Sequence, residues 1–120
     1  MEIVKREDVE QFLSEFHQKL KIKDAIRYIN ERGKNTQTMF DLELTQSDQR
    51  KAIERLTVQD YSGCPEGISM HGGGTKMWVF GKIVKKKEVY IKITIGDFNK
   101  PVICISFHFP LYPMTYPYRI

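Results

Sequence analysis

The sequence predicts an α+β domain in which helices come first and an antiparallel β-meander follows. Two patterns lead to this. Val9, Phe12, Leu13, Phe16 and Leu20 recur at helical spacing near the N-terminus, whereas residues 89–95 and 102–109 alternate apolar with polar or small side chains. A chain of 120 residues has room for one hydrophobic core, so residues 1–120 are expected to form a single domain with the helices on one face of a small sheet.

The first helix is expected from about residue 7 to 22, with Glu7 and Asp8 favourably placed at its positive end. Residues 25–29 contain the β-prone Ile26 and Tyr28 and suit a short strand, and residues 30–35 read as a polar turn. Residues 36–44 are ambiguous between loop and a short helix through Met39, Phe40 and Leu42. Thr45 or Ser47 can cap a second clear helix through Ala52, Ile53 and Leu56. Periodicity then vanishes over residues 57–75, which hold Gly67 and the run Gly72, Gly73, Gly74. No Gly-Lys-Ser/Thr follows that run and no strand feeds it, so a linker is expected rather than a phosphate loop.

Three strands complete the reading, at residues 76–84, 89–95 and 102–109, with a charged turn Lys85-Lys86-Lys87-Glu88 between the first two. Residues 110–120, with three prolines and three tyrosines, form an extended tail that can pack along a sheet edge. Placing Val89, Ile91, Ile93 and Ile95 beside Ile103, Ile105 and Phe107 puts Tyr90, Lys92, Ser106 and His108 on the opposite, open face. That pairing sets Tyr90 across from Ser106 and Lys92 across from Cys104, with His108 diagonal to Tyr90 at about 7–8 Å.

Composition narrows the function classes. A hydrophobic content of 41% and a charged content of 28% exclude a disordered chain. No apolar run approaches the roughly 20 residues that cross a bilayer, and Met1 to Arg6 shows no secretory core, so a cytoplasmic protein without membrane partners is expected. Cys64 and Cys104 lack metal-ligand spacing and are expected to stay reduced, and the scattered His17, His71 and His108 do not make a zinc site. No cofactor is implied. The net charge of +4 is uneven: residues 1–60 carry 11 Lys and Arg against 12 Asp and Glu, and residues 61–120 carry 8 against 3. The β-rich half therefore carries the positive field that binding of a polyanion requires, as would a merely solvated basic face.

A tyrosine, lysine, serine and histidine on one sheet face suit RNA cleavage without a metal. The 2′-hydroxyl must lose a proton, the nonbridging oxygens gain charge and the leaving 5′-oxygen must be protonated. His108 is the candidate acid or base, because histidine titrates near neutrality. Tyr90 shares the proton work or holds the phosphate, and Lys92, Lys82 and Lys51 manage its charge. Ser106 and Trp78 are candidate RNA contacts, although a tryptophan in a strand more often anchors a core. Taken singly, His108, Tyr90 and Lys92 equally suit an ordinary half-exposed strand.

An ordered set of short motifs sharpens this. Residues 56–61 (Leu-Thr-Val-Gln-Asp-Tyr), Met77-Trp78, residues 89–94 (Val-Tyr-Ile-Lys-Ile-Thr) and residues 104–107 (Cys-Ile-Ser-Phe) together resemble the MqsR family of type II toxin–antitoxin ribonucleases. The resemblance covers roughly residues 45–109. It implies a RelE-like α+β fold, cleavage of mRNA, and neutralisation by a cognate antitoxin. The family's tyrosine matches Tyr90, its lysine after Ser-Phe is His108 here, and its remaining lysine and glutamine fall on Gly63 and Val79. The expected function is thus an endoribonuclease toxin. The competing expectations are a non-catalytic, toxin-like module that binds RNA or antitoxin, and a plain protein-interaction domain.

Overall fold

The computed structural model describes residues 4–29, 33–63, 76–97 and 99–119. His71, Cys64 and the glycine run lie outside the described residues, as does most of the expected linker. Helix α1 (Arg6–Lys23) begins where the Asp8 carboxylate accepts the Lys5 N–H at 2.9 Å. It ends at Asp24, whose left-handed φ of 49° lets its N–H reach the Leu20 carbonyl. Val9, Phe12, Leu13, Phe16 and Leu20 all face inward, as their spacing requires.

Strand β1 (Ile26–Tyr28) leads to helix α2 (Gly33–Asp41) and helix α3 (Gln46–Glu54). Thr45, not Ser47, caps α3: its hydroxyl accepts the Asp48 N–H at 3.1 Å, and Asp48 accepts the Thr45 N–H at 2.9 Å. The expected polar turn at 30–35 is corrected over its described part, because Gly33, Lys34 and Asn35 already belong to α2.

A 3-10 turn (Val58–Asp60) precedes strands β2 (Trp78–Val84), β3 (Lys87–Thr94) and β4 (Val102–His108). These three form the expected antiparallel meander. The sheet as a whole is mixed, in the order β1-β4-β3-β2, because β1 lies parallel to β4. The expectation of a wholly antiparallel sheet is corrected here. Only a tight turn forces antiparallel pairing, and β1 and β4 are joined by most of the chain.

The register is also corrected. Tyr90 pairs directly with His108 and Lys92 with Ser106, two residues away from the expected alignment. A bulge beside Lys92 and Ile93 then absorbs one residue of β4, so that Ile93 meets Cys104 and Thr94 meets Ile103. Past the bulge the faces exchange. Phe107, Cys104 and Val102 enter the main core, while Ile103 is buried on the other side of the sheet.

One core results. Side chains of α1 and α3 meet Phe80, Val89, Ile91, Ile93, Cys104 and Phe107 on a single face of the sheet. Burial there pushes the Cys104 thiol up to about 12, which disfavours its thiolate. Lys19 reaches from α1 across the sheet end, its ammonium donating to the carbonyls of Ile95 and Asp97, each at 2.6 Å. Gly96 sits between them at a φ of 75°, a conformation that glycine accepts without strain. Lys19→Met is expected to lower stability by about 1–2 kcal/mol in urea denaturation, because two carbonyls lose a charged donor.

Helix α2 has a different task. It lies along β4 where β1 stops, and its polar side chains replace the missing strand. Ile29 N–H still bonds the Cys104 carbonyl at 3.0 Å. Beyond it, the Asn35 amide donates to the carbonyls of Ile29 (2.8 Å) and Ile105 (3.1 Å) and accepts the Phe107 N–H at 3.1 Å. Thr38 accepts the Phe109 N–H at 3.3 Å while donating to Lys34. Asn35 and Thr38 are therefore buried although polar, and the β4 edge is closed.

The tail packs round the β2 edge, as its composition allowed. Thr115 accepts from the Ser62 hydroxyl, and Tyr116 lies over Gly81, where a side chain would overlap its hydroxyl and ring. The Tyr116 hydroxyl donates to Glu88 at 2.6 Å. Tyr118 stacks on Tyr61 with centroids 5.9 Å apart and donates to the Val4 carbonyl, and Arg119 lies over the Tyr116 ring, 3.9 Å from its centroid. Burial first, and Glu88 second, raise the Tyr116 phenol above its ordinary range. A raised value means that its contribution to stability is complete below the unfolded value near about 10 and is lost as pH rises through the folded one. Wild-type stability is expected to fall more steeply above pH ~10 than that of Tyr116→Phe. Matching profiles would show that the Tyr116 hydroxyl contributes nothing to stability through Glu88.

Candidate active site

Cross-strand pairing decides which side chains share the face turned away from the helices. Directly paired residues point the same way, so Gly81, Tyr90 and His108 form one row, and Val79, Lys92 and Ser106 the next. Tyr90, Lys92, Ser106 and His108 are thus brought together as expected. The face is not fully open, however. All four are half-buried, and Val79, Thr94 and Ile103 on the same side are buried.

The rings of Tyr90 and His108 lie parallel, with centroids 5.1 Å apart and an interplanar angle of 11°. The Lys92 ammonium stands 5.9 Å from the Tyr90 centroid, in cation–π range. His108 Nδ1 lies 2.8 Å from the Phe109 carbonyl oxygen. A carbonyl can only accept, so Nδ1 carries a proton, and in the neutral ring Nε2 keeps the lone pair. That tautomer leaves Nε2 as the acceptor of the ring. On either side of His108, the Phe107 and Phe109 N–H groups are held by Asn35 and Thr38, which fixes the strand end carrying the ring. Glu88 lies on this face two residues before Tyr90, and its carboxylate accepts the Tyr116 hydroxyl.

His108 also opens into a cleft of about 460 Å³ between α2 and the chain beyond β4, lined by Lys34, Gln37, Thr38, Asp41, Phe109 and Leu111. Lys34 was missed by the sequence reading, because residues 30–35 looked like a turn. The pair Asn35 and Thr38, one helical turn apart, was the available signal that α2 has a polar inner stripe.

Three of the expected site residues lie elsewhere. Trp78 and Lys82 pair with Ile93 and Val89, which places them on the helix-covered face. Trp78 stacks on Phe12 at 4.7 Å and 13° and serves the core. The Lys82 ammonium is held at 3.1 Å by both Asp60 Oδ2 and the Arg55 carbonyl, so its charge is already matched. Asp60 also accepts the Thr57 N–H and approaches Arg119 at 3.4 Å, which ties the 3-10 turn, β2 and the tail together. Lys51 lines a separate hollow of about 240 Å³ with Arg55, Lys82 and Lys85 at the β2 edge. The sheet therefore separates Lys82 and Lys51 from His108, and they cannot join Lys92 at one phosphate.

Of the positions where this sequence differs from the MqsR-like motif set, Val79 lies on the same face as His108. Val79 is opposite Lys92, and Gly63 N–H reaches the Val79 carbonyl at 3.3 Å. Val79, Tyr90 and His108, far apart in sequence, share the face turned away from the helices, whereas Gly63 lies against the outer edge of β2 beside the core-facing Tyr61. Among the described residues, no cluster of His, Cys, Asp and Glu is arranged to hold a metal ion, and no helix is long and apolar enough to cross a membrane. No protein family, no curated protein and no solved structure matches the chain.

Proposed function

We propose that the protein is a metal-independent endoribonuclease with a RelE-like fold, the toxin of a type II toxin–antitoxin pair, cutting mRNA by attack of the 2′-hydroxyl. The observation that carries this reading is the stacked Tyr90–His108 pair, with an imidazole whose Nδ1 is anchored and whose Nε2 keeps its lone pair. The shared face of Val79, Tyr90 and His108, three of the four MqsR-like positions, supports the family part of the reading.

In the proposed reaction His108 Nε2 takes the proton from the 2′-hydroxyl. The 2′-oxygen attacks phosphorus, and the bond to the 5′-oxygen breaks. Tyr90 supplies the proton that the leaving oxygen needs, and Lys92 offsets the charge that grows on the nonbridging oxygens. The products are a 2′,3′-cyclic phosphate and a 5′-hydroxyl, with atoms and charge balanced. mRNA is the substrate and a cognate antitoxin the protein partner.

The test is incubation of the purified protein with mixed-sequence RNA in excess EDTA. Cleavage there, with growth arrest on expression that a neighbouring antitoxin gene relieves, is the expected result. Intact RNA would remove the enzymatic reading. A second reading, a non-catalytic module that binds RNA or antitoxin, is favoured by one observation: Val79 fills with a buried apolar side chain the position where the family has a glutamine. RNA binding that weakens steeply with salt, without turnover, is its signature.

A further inference from the structure

The cleft beside His108 is larger than proton transfer requires. Its volume, about 460 Å³, is that of a small-ligand pocket, and its walls combine the apolar Phe109 and Leu111 with Lys34 and Gln37. Gln37 is held in place, its Nε2 donating to Asp41 Oδ1 at 2.8 Å. This leaves the amide oxygen and one N–H of Gln37 for a further partner. Every nucleobase presents a donor beside an acceptor on its pairing edge, and an anchored amide complements that pattern.

The surroundings add a second observation. Large apolar side chains stand exposed around this end of the fold: Phe40 at 78%, Leu111 at 60% and Tyr112 at 62%. Phe40 precedes Asp41 and follows Gln37 by one helical turn, which sets it on the flank of the helix face that lines the cleft. Exposed rings beside a lysine-bearing groove form the composition that holds single-stranded nucleic acid, where bases stack and cations follow the phosphates.

We infer that this cleft is a base-binding subsite for single-stranded RNA. Phe40 stacks on a nucleobase, Gln37 bonds its edge, and Lys34 contacts the adjoining phosphate. Occupation of the subsite carries the next phosphate of the strand to His108, which lines the same cleft. The inference rests on the ribonuclease reading for its substrate, but not for turnover.

The test is binding of fluorescein-labelled 2′-O-methyl RNA, which cannot be cut, alongside an abasic oligonucleotide of equal length. Phe40→Ala is expected to weaken the base-bearing strand about tenfold and to leave the abasic strand unchanged, with Gln37→Ala acting the same way less strongly. Phe40 is largely exposed, so its variant should fold, and circular dichroism checks this. Equal affinity of wild type and Phe40→Ala for the base-bearing strand overturns the subsite and reassigns the apolar rim to a protein partner. An equal loss for the abasic strand overturns it too, as does absence of any binding by the wild type. Binding with the expected pattern but no cleavage in EDTA upholds the subsite and removes only the enzyme.

Discussion

Replacing His108 by alanine is expected to slow RNA cleavage by about 10²–10⁴-fold, the usual contribution of one positioned acid–base group. The fold should survive. The ring is half-buried, and its polar contact is with the adjoining Phe109 carbonyl rather than with a distant element. A modest loss of stacking against Tyr90, about 0.5–1.5 kcal/mol, is the structural cost. Tyr90→Phe keeps the ring contact and removes only the hydroxyl, so it separates packing from chemistry. Its melting point should match wild type while its rate falls. If His108→Ala cuts at the wild-type rate, the imidazole is a strand-end residue and the catalytic assignment fails. Lys82→Ala and Lys51→Ala are the contrasting controls. Both lie across the sheet from His108, so their cleavage rates should stay close to wild type once folding is checked.

Asn35→Ala should have the largest effect on stability of any polar substitution in α2, about 3 kcal/mol or more in chemical denaturation. Its amide satisfies two backbone carbonyls and one N–H at a buried edge, and each stranded group costs about 1–3 kcal/mol. Exposed positions of the same helix give the baseline, since Gln37→Ala should change stability by no more than about 0.5 kcal/mol. The variant should also lose activity beyond its loss of folded protein, because the Phe107 N–H that Asn35 holds fixes the strand next to His108. A small stability change with full activity would show that β4 keeps its edge without α2.

These two residues show what was legible in the sequence. Val9 to Leu20 and residues 89–95 carried their periodicity openly, so α1, the meander and the shared face of Tyr90, Lys92, Ser106 and His108 were readable. Thr45 as the cap of α3 was readable as one of two choices. Asn35 and Thr38 were not, because a helix that closes a strand edge turns polar atoms inward and shows no apolar stripe. The bulge was hidden for a related reason. Residues 102–105 are Val, Ile, Cys and Ile, and such an unbroken apolar run fits either face, so alternation could not locate the extra residue. Lys82 misled because a lysine on the core face is tolerable only with polar partners, here Asp60 and the Arg55 carbonyl, 22 and 27 residues away. Nothing local announces such a pair.

The central claim is that the 2′-hydroxyl of RNA is the nucleophile at the Tyr90–His108 face. The most direct measurement is analysis of the RNA ends produced by the wild-type protein in EDTA. A 2′,3′-cyclic phosphate with a 5′-hydroxyl partner, and no cutting at a site carrying a single 2′-deoxy substitution, is the result predicted. Fragments ending in a 3′-hydroxyl and a 5′-phosphate, or undiminished cutting at the 2′-deoxy site, would contradict it.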